Sequence, residues 1–232
     1  MKAASIILAT GLACVSMSCS TLRPHRCERF AVLGNSLTRT VPSPNIGWEA
    51  DWGMAASAED KDYCHLLLRY FTEANGGAAP EAFFGNVASF EREYPTFDIA
   101  SLDSLRKCMA MKPDIFILAI GENVPNPETP EMQALFQKKV TEFLTFIKDA
   151  GCPTIVVRST FWPRESIDEP LRLACEAVGG VYVDIRALSK EENYARSERS
   201  FQHDGVAIHP GDRGMKAIAD AIWAALPQNA HK

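Results

Sequence analysis

The chain has 232 residues, 47% of them hydrophobic and 23% charged, with a formal net charge of -5 at pH 7. That length and balance supply one globular domain with a sizeable core and exclude a disordered chain. The acidic balance leaves no basic stripe to neutralise phosphates, which excludes nucleic acid as a partner and favours a small, neutral or weakly charged substrate.

The first stretch, "MKAASIILATGLACVSMSCS", has Lys2, an apolar run over residues 3–15 and small residues ahead of Cys19, the pattern of an export signal. The run is too short for a permanent membrane span. Its end, "SMSC", resembles a bacterial lipobox with Ser16 where Leu is usual, and on that reading Cys19 is the lipidated first residue of the mature protein. Plain signal cleavage is the alternative. Residues 1–19 are thus expected to be a signal, 20–28 a linker and 29–232 the domain. The expected location is the periplasm or cell surface, with the membrane touched only through an anchor on Cys19.

From there strands and helices alternate. "RFAVLG" reads as a strand, and "EDKDYCHLLLRYFTEA" as a helix with Tyr63, Leu66, Leu67, Tyr70 and Phe71 on one stripe. "EAFFGNVA" is the next strand, "SLDSLRKCMA" a helix, and "DIFILAIG" a strand apolar enough for burial on both faces. A long helix carries Phe136, Val140, Phe143, Leu144 and Ile147, until Gly151 and Pro153 stop it before the strand "PTIVVRS". "EPLRLACEAVGG" is a helix closed by glycines, and "VYVDI" a fifth strand. An irregular charged stretch over 189–200 leads to the last helix, "GDRGMKAIADAIWAAL". This alternation predicts a three-layer α/β/α sandwich on a mostly parallel five-stranded sheet.

Five cysteines beyond Cys19 (Cys27, Cys64, Cys108, Cys152 and Cys175) include no C-x-x-C pair, so neither zinc nor dithiol redox chemistry is expected. They read mainly as buried small hydrophobes. His65 and His203 lack ligand-spaced partners, and Lys61, Asp62, Arg69 and the Glu191-Glu192 pair read as solvated charge. No metal or cofactor is expected.

In parallel sheets chemistry collects just beyond the carboxyl ends of the strands. Those positions hold Gly34-Asn35-Ser36, then Gly85 to Glu91, then Gly121-Glu122-Asn123, with His209-Pro210 ahead of the last helix. Together these blocks resemble the SGNH (GDSL-like) hydrolases over nearly the whole mature chain. Gly34-Asn35-Ser36-Leu37 matches the family's Gly-Asp-Ser-Leu block with Asn for Asp. Gly121-Glu122-Asn123 matches Gly-x-Asn-Asp with Val124 last, and His209-Pro210 matches the base. "IGWEADWGMAASAEDKDYCHLL" is similar to a subgroup of exported bacterial members.

The resemblance implies a flavodoxin-like fold and a serine esterase: Ser36 as nucleophile, His209 as base, and an oxyanion hole from the Ser36 N–H, the Asn123 amide and a backbone N–H after the second strand. Gly85 is the visible glycine there, whereas an ungapped comparison through Asn86 points nearer Glu91. The family's acid, three residues before the base, is Val206 here, so Asp204 is the expected acid; a backbone carbonyl, Glu122 or Glu91 are the alternatives. Position 38 is Thr, which excludes the Gly-x-Ser-x-Gly elbow. Trp48, Trp52 and Glu122 are the expected substrate-binding residues, although the tryptophans serve equally well as packing under a loop. The expected activity is hydrolysis of O-acyl, especially O-acetyl, esters on carbohydrate through an acyl-Ser36 intermediate. A lipid esterase or thioesterase, and a non-catalytic carbohydrate-binding relative, are the alternatives.

Overall fold

The computed structural model describes residues 26–227, so the signal, lipobox and Cys19 readings fall outside the described residues. Five strands, β1 (Arg29–Gly34), β2 (Glu81–Asn86), β3 (Ile115–Ala119), β4 (Thr154–Arg158) and β5 (Val181–Val183), form an all-parallel sheet in the order β2-β1-β3-β4-β5. Every residue of β3 is buried, as its unbroken apolar run requires of a central strand covered on both faces. Phe30 lies opposite both Ala82 and Ile115, and Gly34 opposite Asn86 and Ala119. From β1 the chain pairs first on one side, with β2, and then on the other, with β3. The crevice of this switch lies at the carboxyl end of β1.

The period-2 alternation of the strands sorts the core into two layers. Ala31, Leu33, Phe116, Leu118 and Val157 face α2 (Ala88–Glu93), α3 (Asp103–Met111), α4 (Pro130–Asp149) and α5 (Glu165–Ala177). Phe30, Val32, Ile117 and Val156 face α1 (Tyr63–Ala74) and α7 (Asp212–Ala225). In α4, Phe143 rests against Phe90 and Phe116 with ring centroids 5.2 and 6.4 Å away, and truncating such a buried ring costs about 3–5 kcal/mol. Thr129 caps α4 by accepting the Met132 N–H, with Pro130 in the first turn where no amide donor is missed.

Several local features depart from the expected elements. The strand run "EAFFGNVA" ends at Asn86, and α2 begins at Ala88. Helix α5 starts at Glu165, a turn ahead of Pro170, because Asp168 accepts the backbone N–H groups of Thr160 and Arg164 and ties the helix to the loop before it. A one-turn helix, α6 (Asp204–Ala207), interrupts the irregular stretch before His209. Cys27 and Glu28, assigned to the linker, are already docked: Asn75 bonds both the N–H and C=O of Cys27, and Asp114 accepts the Glu28 N–H. The five described cysteines are free and buried, and burial pushes the Cys27 and Cys108 thiols up to about 12.

Candidate active site

Ser36 follows β1 in a tight turn, where the Asn35 carbonyl accepts the N–H groups of Thr38 and Arg39, both at 3.0 Å. Gly34 makes the turn possible, since a Cβ there would lie 2.0 Å from Thr38 Oγ1 and 2.7 Å from the Ala119 carbonyl. The Asn35 side chain completes it. Its Oδ1 accepts the Leu37 N–H, while its Nδ2 donates to Glu91 Oε1 at 3.1 Å and to Glu122 Oε2 at 2.6 Å.

The Asn for Asp difference in this block has a physical reason, because the residue faces two buried carboxylates and only an amide can donate to both. Glu91 is fully buried. Its carboxylate collects four donors: Asn35 Nδ2, the Gly121 N–H at 2.6 Å, the Asn123 N–H at 3.2 Å, and Asn123 Nδ2 at 2.8 Å. Burial and the neighbouring Glu122 charge raise its pKa, against the pull of these donors. Burial also works against ionised Glu122, but Arg158 at 2.6 Å and the Phe161 N–H outweigh it and hold Glu122 below the ordinary carboxylate range. Arg158, at the end of β4, is itself fully buried, so this pair depends on mutual neutralisation. Glu122 therefore lies under the nucleophile turn rather than facing substrate, which corrects its expected binding role.

The carboxyl end of β3 supplies Asn123. Gly121 adopts φ of +128°, and a Cβ there would meet Thr160 Cγ2 at 2.5 Å, so only glycine lets the chain turn so close to α5. One Asn123 amide hydrogen is taken by Glu91. The residue is half-exposed, as an amide that is to meet an oxyanion must be. Gly85 is not such a donor. It is buried inside β2 opposite Leu33, and a Cβ there would run into Leu33 Cδ2 at 2.7 Å and Ser104 Cβ at 3.1 Å, so this glycine serves strand packing.

His209 comes from the other side. Its Nε2 lies 2.9 Å from Ser36 Oγ, and its Nδ1 lies 2.6 Å from the Gly205 carbonyl. A carbonyl only accepts, so Nδ1 carries the proton and neutral Nε2 presents its lone pair to the serine hydroxyl. Burial lowers the His209 pKa to about 4, against opposing contributions from the Gly205 carbonyl and the Glu122 charge. Trp162 stands edge-on to the imidazole, centroids 5.3 Å apart at 82°, and forms its apolar wall.

Asp204, the expected acid, is exposed at the start of α6, and a backbone carbonyl occupies the position intended for it. The one-turn helix α6, Asp204–Ala207, fills the stretch before His209 and aims the Gly205 carbonyl at the ring. Trp48 is buried among Met54, Ala55, Ala195 and Val206, with Nε1 donating to the Thr40 carbonyl, which makes it a packing residue. Trp52 is half-buried and lines an open cavity.

No family model and no curated protein matches the chain. Solved structures do match. A structure described as a GDSL-like lipase from Bacteroides ovatus aligns at 14% identity over 85% of this chain and 97% of its own, with TM-score 0.54. A two-domain esterase active on acetylated mannans, co-crystallised with mannopentaose, aligns at 15% identity over 84% of this chain but 47% of its own, with TM-score 0.56. A carbohydrate esterase whose active site displays divergent catalytic and non-catalytic binding functions aligns at 12% identity over 87% of this chain and 65% of its own, with TM-score 0.53. The fold is that of these solved structures.

Proposed function

We propose that the protein is an exported serine esterase that removes O-acetyl groups from carbohydrate. The observation that carries this reading is the 2.9 Å contact of Ser36 Oγ with an imidazole nitrogen whose tautomer a carbonyl on the far side fixes. Ser36 Oγ attacks the ester carbonyl as its proton passes to His209 Nε2. The oxyanion is met by the Asn123 amide and the Ser36 N–H. Collapse breaks the bond to the sugar oxygen, which takes the proton from Nε2, and water then repeats the sequence on the acyl-Ser36 ester. The imidazolium formed in each half is stabilised by a neutral carbonyl rather than a carboxylate, so the site works as a Ser-His dyad.

The carbohydrate part draws support from the two carbohydrate esterases of the same fold, and export with a lipid anchor on Cys19 from the leader pattern alone. Hydrolysis of a 4-nitrophenyl ester series tests the reading. Rates should fall from acetate to octanoate in the wild type and vanish in Ser36→Ala. A rise with chain length would make it a lipid esterase, and no turnover of any ester would make it a binding protein.

A further inference from the structure

A cavity of about 440 Å³ opens beside the nucleophile turn, within the size range of small-molecule sites. Thr38, Arg39, Asp51, Trp52, His65 and Phe84 line it. Both of its cationic groups are already spoken for. The Arg39 fork closes on Asp51 through Nε at 2.8 Å and Nη2 at 2.7 Å, which neutralises its charge and uses its side-on bidentate edge, while Nη1 donates to the Phe84 carbonyl at 3.5 Å. His65 is held on one side at 2.9 Å by Asp62, which is buried and accepts the Gly53 and His65 N–H groups rather than being the solvated charge expected, and on the other by Glu59 at 3.3 Å.

The cavity therefore offers paired charges whose outer oxygens still accept hydroxyl donors, together with the apolar rings of Trp52 and Phe84. Polar edges beside aromatic faces suit a polyhydroxylated, uncharged ring. Trp52 is also fixed in advance, since its Nε1 donates to the Ala56 carbonyl, which lowers the ordering cost of binding. Asp51 and Trp52 continue into a second hollow of about 730 Å³ with Arg199 and Phe201, so a chain overflowing the first hollow has a path across the indole.

This wall is stitched to the nucleophile. The Ser36 carbonyl accepts the Met54 N–H at 2.8 Å and Thr40 Oγ1 at 3.2 Å, and the Thr40 N–H bonds the Trp52 carbonyl at 2.9 Å. From this geometry we infer that the Arg39–Trp52–His65 cavity is a subsite for the backbone of a neutral oligosaccharide, discriminating against acidic glycans. The inference rests on the esterase reading for the fate of the bound ester, but binding at the subsite is measurable without turnover.

The test is calorimetric titration of Ser36→Ala protein with mannopentaose, xylopentaose and pentagalacturonic acid. At least one neutral pentasaccharide should bind, at least tenfold more tightly than the galacturonate. Adding Trp52→Ala should weaken that binding tenfold or more. Because loss of the indole can loosen its loop, Ala82→Leu, which fills the cavity from β2, is measured beside it, with thermal melting confirming that both variants fold; it should weaken binding to a similar degree. Galacturonate binding as tight as the neutral sugars, no neutral binding, or neutral binding untouched by Ala82→Leu in a folded protein would each overturn the subsite. Hydrolysis of 4-nitrophenyl acetate by the Ser36 enzyme judges the esterase reading separately, so either can fail alone.

Discussion

The two halves of the site are held by different physics. Under Ser36, the carboxylates of Glu91 and Glu122, the Asn35 amide and the Arg158 guanidinium join the ends of β1, β3 and β4 to α2 through buried, charge-assisted bonds. Around His209 the restraints are local and mostly main chain: a carbonyl four residues back, the Tyr194–Pro210 bridge, and the edge of one tryptophan. A buried ionic lattice fails when any member loses its complement, whereas a backbone acceptor survives changes to the side chains around it. Substitutions under the nucleophile should therefore propagate, and those on the base loop, His209 apart, should not.

The largest effect belongs to the base itself. His209→Gln leaves Ser36 without a proton acceptor, and kcat on 4-nitrophenyl acetate should fall by about 10³-fold or more with little change in KM. Glu91→Gln comes next. An amide can still accept from Gly121 and Asn35, but it turns an N–H toward Asn123 Nδ2, leaving two donors face to face and the oxyanion amide displaced. A loss of about 10- to 100-fold in kcat is expected, somewhat below the cost of deleting an oxyanion donor outright. The same variant should lose about 1–3 kcal/mol in denaturant unfolding, the cost of stranding buried polar groups.

Asn35→Asp installs the residue of the Gly-Asp-Ser-Leu block and should still harm this protein, because it removes the donor shared by Glu91 and Glu122 and sets a third carboxyl against them. A pKa raised in the fold means that protons are taken up on folding, so the penalty is absent below the unfolded value of about 4 and grows as pH rises. Thermal melting across pH 4 to 8 reads this as a widening deficit against the wild type. A constant deficit would mean that the loss is steric. The smallest effect is expected for Asp204→Asn, under about twofold in kcat, since that carboxylate does not touch the imidazole; a loss of 10² or more would return the acid role to Asp204.

The same contrast decides how much of the site was legible. Ser36 and Asn123 could be picked out as candidates because they stand just beyond strand ends, and His209 because it precedes the last helix beside Pro210; the structure brings Ser36 and His209 to 2.9 Å of each other. The strands and long helices were equally plain, from β3's apolar run to α4's spaced Phe136, Val140 and Phe143. The Gly205 carbonyl was not, because every residue has one and only the one-turn helix α6 determines where it points. Glu91 was visible as a carboxylate, but its burial was not, since α2 is too short to show a period. Arg158 did leave a signal: a charged residue closing an apolar strand requires a buried partner, and Glu122 is that partner.

Activation of Ser36 by a neutral, carbonyl-oriented His209 can be read from inactivation with a fluorophosphonate, with the adduct located by mass spectrometry and the rate followed against pH. His209 has a folded pKa of about 4, below its ordinary 6.5, so it stays a competent base as pH falls between those values. Over that window the unfolded chain binds the proton first, and the contribution of this group to stability is lost as pH falls from 6.5 toward 4. The expected result is one adduct, on Ser36, forming at a rate that holds through pH 6 and halves near pH 4 while the protein remains folded. An adduct on another residue, or a rate that halves near pH 6.5, would contradict it.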